Sequence, residues 1–312
     1  MRQPEELYEL DQAVLSQAGT DLSGAAFLVH LEGFMDAGSA GRLVTEHLLD
    51  ELSDTVIARF DTDRLLDYRS RRPLMTFDKT RWESYEDPRL EVHLLCTTDG
   101  KPITLLTGPE PDHEWDLFVA AARSLADHLS LGMMITYFGV PMGIPHTRPL
   151  GVMTHATRPG LVTSRVPSPG RLQVPASAAA LMEFRFGEAG RDAVGLVVQV
   201  PHYLSQAAYP TAALTLLEPI REITALDLPG DALKEAAERT NALIDRQVAE
   251  SSEVADLVHG LEIQWDAAIT EEGNLLAEGE EMPTADELAA QFEQFLAEQQ
   301  GGNSSPSSSD DH

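Results

Sequence analysis

AAFLVHLEGFMDAGSAGRLVTEHLLDELSDTVIARFD, residues 25–61, decides the fold. AAFLVHLEG (25–33) is an apolar run of strand length. SAGRLVTEHLLDEL (39–52) then places apolar residues at helical spacing, and TVIARFD (55–61) returns to strand composition. Between the first two lies LEGFMDAGSAG, whose Gly33, Gly38 and Gly41 permit a tight turn into the helix. Strand, glycine turn, helix and strand in that order is the repeating unit of an α/β sheet.

The same alternation continues downstream. LEVHLLCTT and KPITLLTG flank Asp99-Gly100, a hairpin signal that makes the sheet mixed. PDHEWDLFVAAARSLADHL (111–129) predicts a helix with Asp112 as its N-cap. MMITYFGV (133–140), GVMTHAT (151–157) and AVGLVVQVP (193–201) predict strands. PASAAALMEFRF (175–186) predicts a helix that begins at Pro175. YPTAALTLLEPIREITAL (209–226) predicts a helix that Pro219 should kink or break. Residues 231–265 predict one or two amphipathic helices. TADELAAQFEQFLAEQ (284–299) opens on a Thr-x-x-Glu capping box and carries a Leu288/Phe292/Phe295/Leu296 stripe. Thr62 to Arg89 is rich in charge and aromatics, has no period, and reads as a long excursion. The expected fold class is α/β: a three-layer αβα sandwich around a mixed sheet, with C-terminal helices. The expected division is an α/β core (1–230), a helical extension (231–299) and a disordered acidic tail (300–312).

Composition excludes several functions. The 312-residue chain has a net charge of −29 and only three lysines, Lys79, Lys101 and Lys234. Such a surface repels phosphate backbones and anionic lipid, so neither nucleic acid nor a membrane is an expected partner. No apolar run approaches the ~20 residues that cross a bilayer. The N-terminal MRQPEELYELDQ is acidic and polar, unlike a secretory signal. Cys96, the only cysteine, allows no disulfide framework and reads as a buried, inert thiol. The expected location is cytoplasmic. No metal is expected, because His146, His155 and His202 lack ligand spacing. No cofactor is expected either: there is no Walker lysine, dinucleotide fingerprint or G-x-S-x-G.

Four segments share one arrangement: LEGFMDAGSAG (31–41), LTGPEPDHEW (106–115), FGVPMGIPHTRP (138–149) and VPHYLSQAAYP (200–210). Each follows an apolar strand and combines Gly or Pro with charged or ring-bearing residues. Strand C-terminal ends of an open α/β sheet point into one crevice, so the four loops should converge. The candidate ligand-binding or loop-locking residues are Glu32, Asp36, Gly38, Arg72, Glu110, His146, Arg148, His202 and Tyr203. The bare amides of a helix N-terminus after LEGFMDAG suit an anion, but Glu32 and Asp36 place carboxylates beside them. Asp36 can cap that helix, or face Arg148 or the arginines of DYRSRRP (67–73). His146 and Arg148 either clamp an anionic ligand or lock PHTRP against the other loops through Asp36 and Glu110. In the locking case, Arg148→Ala strands a buried carboxylate at a cost of about 3–5 kcal/mol. Tyr203 and Tyr209 also suit packing roles.

Seven stretches in order carry a family resemblance: LEGFMDAG, DYRSRRP, LTGPEPDHEW, PHTRP, VPASAAALMEF, VGLVVQVPHYL and YPTAAL. Together they resemble the proteasome assembly chaperone 2 family, its actinobacterial branch most of all, over roughly Phe27 to Gln247. The resemblance implies a phosphorylase/hydrolase-like fold, similar in outline to nucleoside phosphorylases, and no settled activity. It implies a homo-oligomer, here expected to be a trimer, and protein partners such as proteasome subunits. Family chaperones that dock on the proteasome often end in hydrophobic-Tyr-any residue. This chain ends in Ser-Asp-Asp-His, which argues against docking in α-ring pockets. Two functions fit: a non-catalytic assembly or interaction protein, or a nucleoside-phosphorylase-like or hydrolase-like small-molecule enzyme. The charge balance of the cleft separates them, because phosphate needs uncompensated donors.

Overall fold

The computed structural model describes residues 3–33, 35–161 and 170–275. The first elements are β1 (Tyr8–Leu10), α1 (Gln12–Ala18), β2 (Ala26–Glu32), α2 (Ala40–Glu51), β3 (Ser53–Phe60) and α3 (Thr62–Leu65). Then come β4 (Met75–Asp78), β5 (Arg81–Tyr85), β6 (Glu91–Cys96), β7 (Pro102–Pro109), α4 (Trp115–His128) and β8 (Met134–Met142). β9 (Val152–Ala156), α5 (Ala178–Glu188), β10 (Ala193–Pro201), α6 (Pro210–Thr224), α7 (Asp231–Glu250) and α8 (Ser252–Leu275) complete the order. The chain divides into two compact units, residues 1–262 and 263–312, and the sheet lies in the first.

Eight strands form one mixed sheet in the order β1-β3-β6-β7-β2-β8-β10-β9. Its centre, β7-β2-β8-β10, is parallel. Its flanks are antiparallel. The hairpin expected at Asp99-Gly100 joins β6 to β7. Gly100 sits at φ +81, a left-handed conformation that glycine adopts without a Cβ clash.

Alternation along the strands feeds two cores, one on each face. Phe27, Val29, Met134 and Ala193 pack with Phe118, Ala122 and Leu125 of α4 and Met182 and Phe186 of α5. Leu28, Ile135, Val194, Leu196 and Val198 pack with Val44 and Leu48 of α2 and Leu216, Leu217 and Ile220 of α6. Leu233 and Ile244 of α7 join this second core. The result is helix, sheet, helix in three layers. Among the described residues, no helix is long and apolar enough to cross a membrane.

Three local expectations need correction. α5 begins at Ala178 rather than Pro175, because the Ser177 side chain accepts the Ala180 N–H at 3.1 Å and sets the start. α4 begins at Trp115, and Asp112 does not cap it. Asp112 instead accepts the Asp67 N–H at 2.8 Å and pairs with Arg71 at 2.9 Å, fastening the DYRSRRP stretch. α6 runs unbroken through Pro219. An interior proline costs about 3 kcal/mol. Burial of Leu216, Leu217 and Ile220 offsets it at roughly 1.5–3 kcal/mol per side chain.

The excursion is partly ordered. β4 and β5 pair as a separate two-stranded hairpin in which every residue is exposed. Phe77 and Trp82 meet edge to face, with ring centres 4.9 Å apart. The 284–299 stripe and the acidic tail lie outside the described residues.

Candidate functional site

β7, β2, β8 and β10 are parallel, so the loops that follow them leave the same sheet edge. Main-chain bonds join three of these loops. The Gly38 N–H donates to the Ser205 carbonyl and the Tyr209 N–H to the Gly38 carbonyl, both at 2.8 Å. The Glu110 N–H donates to the Glu32 carbonyl at 2.9 Å. Gly38 has φ +68, and a Cβ there would press on Tyr209 and Val200 at 3.1–3.2 Å. Glycine fits where a side chain would not.

Asp36 ties the loop after β2 to the C-terminal half of β8. Its Oδ1 accepts the N–H groups of Gly41 (2.9 Å) and Gly139 (3.0 Å), and its Oδ2 accepts that of Arg42 (3.0 Å). His30 Nε2 lies 3.5 Å from Oδ2. The His30 ring is 3% exposed and stacks on Tyr137. Burial alone would raise the Asp36 carboxyl. Contact with His30 and the Gly41 and Arg42 amides outweighs it and holds the group below the usual carboxylate range. Asp36 therefore meets neither Arg148 nor the arginines of DYRSRRP. The amides at the start of α2 and on β8 satisfy it first. Beneath it, Tyr137 shares a hydrogen bond with Thr45 at 2.9 Å, and burial pushes its phenol far up.

Glu110 behaves similarly. It is 7% exposed, and its Oε1 accepts the N–H of Ala178, the first residue of α5, at 2.6 Å. Gly33 leaves room for it, since a Cβ there would strike the Glu110 carboxylate. Both carboxylates thus complete helix N-termini, which favour negative charge.

His146 and Arg148 reach neither Asp36 nor Glu110, a second correction. The buried His146 ring places Nδ1 2.7 Å from the Tyr203 hydroxyl, which also accepts the His146 main-chain N–H at 2.8 Å. Its Nε2 lies 3.3 Å from Asp245 of α7. Burial pushes the Tyr203 phenol up to about 12. The two ring nitrogens of His146 thus face the Tyr203 hydroxyl on one side and the Asp245 carboxylate on the other. Arg148 Nη1 lies 3.2 Å from Glu262 of α8, a carboxylate that also accepts the Thr147 hydroxyl. The PHTRP loop is thus fastened to the C-terminal helices rather than to its neighbouring loops. Because Arg148 and Glu262 are both partly exposed, Arg148→Ala should cost about 1 kcal/mol or less, not the 3–5 of a buried pair. Urea denaturation checks this, and a loss above about 3 kcal/mol would restore the buried-pair interpretation.

The remaining candidates scatter. Arg72 is exposed, while its neighbour Arg71 makes the bond to Asp112. Glu32 is exposed and contributes its main-chain carbonyl. His202 is exposed and lies edge-on to Tyr203, centres 5.4 Å apart. Sequence reasoning missed His30, Asp245 and Glu262. His30 carried a signal, as a lone polar residue inside the apolar run of β2. A further pair was also missed: Glu183 of α5, 8% exposed, takes the Thr136 hydroxyl and lies 2.8 Å from His155 of β9. Glu183 raises the His155 imidazole above its ordinary range.

The model of the PAC2 family matches residues 30–248. Rv2714, a Mycobacterium tuberculosis protein of unknown function, is 42% identical, with 88% of this chain and 93% of that one covered at a TM-score of 0.81. A PAC2 family protein from Streptomyces avermitilis is 26% identical, with 75% and 99% covered at a TM-score of 0.66. The Mycobacterium tuberculosis proteasome-assembly chaperone homologue Rv2125 is 24% identical, with 75% and 99% covered and a TM-score of 0.69, a likeness of fold. No curated protein matches the chain.

Proposed function

The chain belongs to the PAC2 family, and from that premise we propose that it is a non-catalytic assembly or interaction protein that acts as a homo-oligomer. One observation carries the proposal: Asp36, Glu110 and His146, the principal polar groups of the four-loop edge, already have partners within the chain. Asp36 fills the amides of α2, Glu110 fills the start of α5, and both His146 nitrogens have partners. A nucleoside-phosphorylase-like or hydrolase-like enzyme would need such donors free to stabilise developing charge. The fold likeness to a proteasome-assembly chaperone homologue supports a protein partner of the proteasome-subunit kind.

The β4–β5 hairpin supports self-association, for which a trimer in the cytoplasm is the proposed form. Leu74, Phe77 and Trp82 are 67%, 55% and 62% exposed, and a two-stranded hairpin alone in water is marginally stable. In the proposed division into a core (1–230) and a helical extension (231–299), partner contacts fall to the extension, whose Asp245 and Glu262 also hold PHTRP.

The test combines two measurements on the full chain. Mixed with proteasome α-type subunits, it should co-elute with them in light-scattering chromatography. Given a panel of nucleosides and inorganic phosphate, or of esters, it should release no product above buffer. Turnover that Asp36→Asn abolishes would overturn the proposal in favour of the enzyme.

A further inference from the structure

We propose that the point held by the Asp36 carboxylate is an oxyanion site of the phosphate and sulfate class, which the chain keeps filled with its own side chain. The inference goes beyond the function proposed above and holds whether or not the chain assembles other proteins.

Three features separate this point from an ordinary helix cap. The residue at the cap position of α2, Ser39, is left-handed at φ 50 and makes no side-chain cap bond. Asp36 reaches in from further upstream instead. Next, the donors come from separate elements: Gly41 and Arg42 from α2, and Gly139 from β8. Amides converging from a helix start and a neighbouring strand are the arrangement that binds phosphate groups. Last, the His30 imidazole is aimed at the same point, 3.5 Å from Oδ2. It is 3% exposed, and neither of its nitrogens makes a hydrogen bond of good geometry. A buried imidazole so placed is under-used by a two-oxygen carboxylate. A tetrahedral anion offers further oxygens to it.

The approach is kept open by glycine. A Cβ on Gly41 would meet the His30 ring at 2.5 Å, and one on Gly139 would meet the Ala37 carbonyl at 2.2 Å. Both positions need a bare main chain for their N–H groups to reach one point.

The test compares the full-length wild type, Asp36→Gly and Asp36→Asn in inorganic phosphate, sulfate, and chloride at matched ionic strength. Asp36→Gly empties the point. Phosphate and sulfate should then raise its melting temperature saturably, by roughly 3–5 °C at ten times Kd. The Gly41 and Gly139 amide resonances should shift with the same midpoint. Wild type and Asp36→Asn, whose points stay filled, should respond to phosphate no more than to chloride. Should Asp36→Gly fold only when phosphate or sulfate is present, the proposal is supported. It is overturned if Asp36→Gly stays unfolded in 50 mM (on the order of fifty times a millimolar Kd) phosphate, since a refilled cradle would replace the lost acceptor. It is equally overturned if folded Asp36→Gly responds like wild type, or if Asp36→Asn responds like Asp36→Gly.

Discussion

Gly139→Ala should lower the melting temperature by roughly 6–12 °C, the equivalent of about 3 kcal/mol in a domain of this size. The added Cβ would lie 2.2 Å from the Ala37 carbonyl oxygen and 3.2 Å from Val200. No rotamer relieves a clash with main chain. Ala37 cannot retreat either, because Gly38 beside it is held on both sides by bonds to Ser205 and Tyr209. Displacing Gly139 also pulls its N–H from Asp36. The control is Gly143→Ala, just past the end of β8, where a Cβ would meet nothing within 4 Å. That change should stay within about 0.5 kcal/mol of wild type. Thermal denaturation of the pair decides the matter: equal melting temperatures would mean that the loop after β2 moves independently of β8.

The hairpin should give the other large effect. Wild type should scatter light as an oligomer, and a Phe77→Ser, Trp82→Glu double variant should approach the 34.1 kDa chain mass. Loss of a central aromatic anchor costs an interface roughly 2–4 kcal/mol, about 30- to 1,000-fold in Kd. Charge points the same way. Residues 69–89 hold six cations against four acids, in a chain whose net charge is −29. A second copy therefore offers this arm an attractive acidic surface, and added salt should weaken the association. A double variant with the mass of wild type would remove the hairpin from the interface.

Much of the fold was legible because its central strands are apolar runs closed by glycine or proline, as in 25–33 and 193–201. β4 and β5 were not. Both of their faces meet water, so burial imposes no period of two, and a register shift at Thr76 and Phe77 breaks what alternation remains. The polar loops of the site were equally visible, but their partners were not. Asp36 and Glu110 bond to main-chain amides of Gly41, Arg42, Gly139 and Ala178, groups that nearly every residue carries. The partners of His146 and Arg148 stand 99 and 114 residues downstream. Among 51 acidic residues, spacing alone gives no reason to choose Asp245 and Glu262.

The order of strands in the sheet also sets a timetable on the ribosome. β2 ends at Glu32, yet the strands on either side of it begin at Pro102 and Met134. At about 5–20 residues per second, the apolar Phe27–Leu31 stretch waits roughly 4–15 s for β7 to be made, and longer for β8. α2, the next helix in the chain, can cover one face during that wait, since Val44 and Leu48 share a core with Leu28. The opposite face, Phe27 and Val29, shares its core with Phe118, Ala122 and Leu125 of α4, which are made only after β7. Nascent chains of this protein therefore carry a sticky, half-shielded strand for most of the time it takes to synthesise the first half of the sheet.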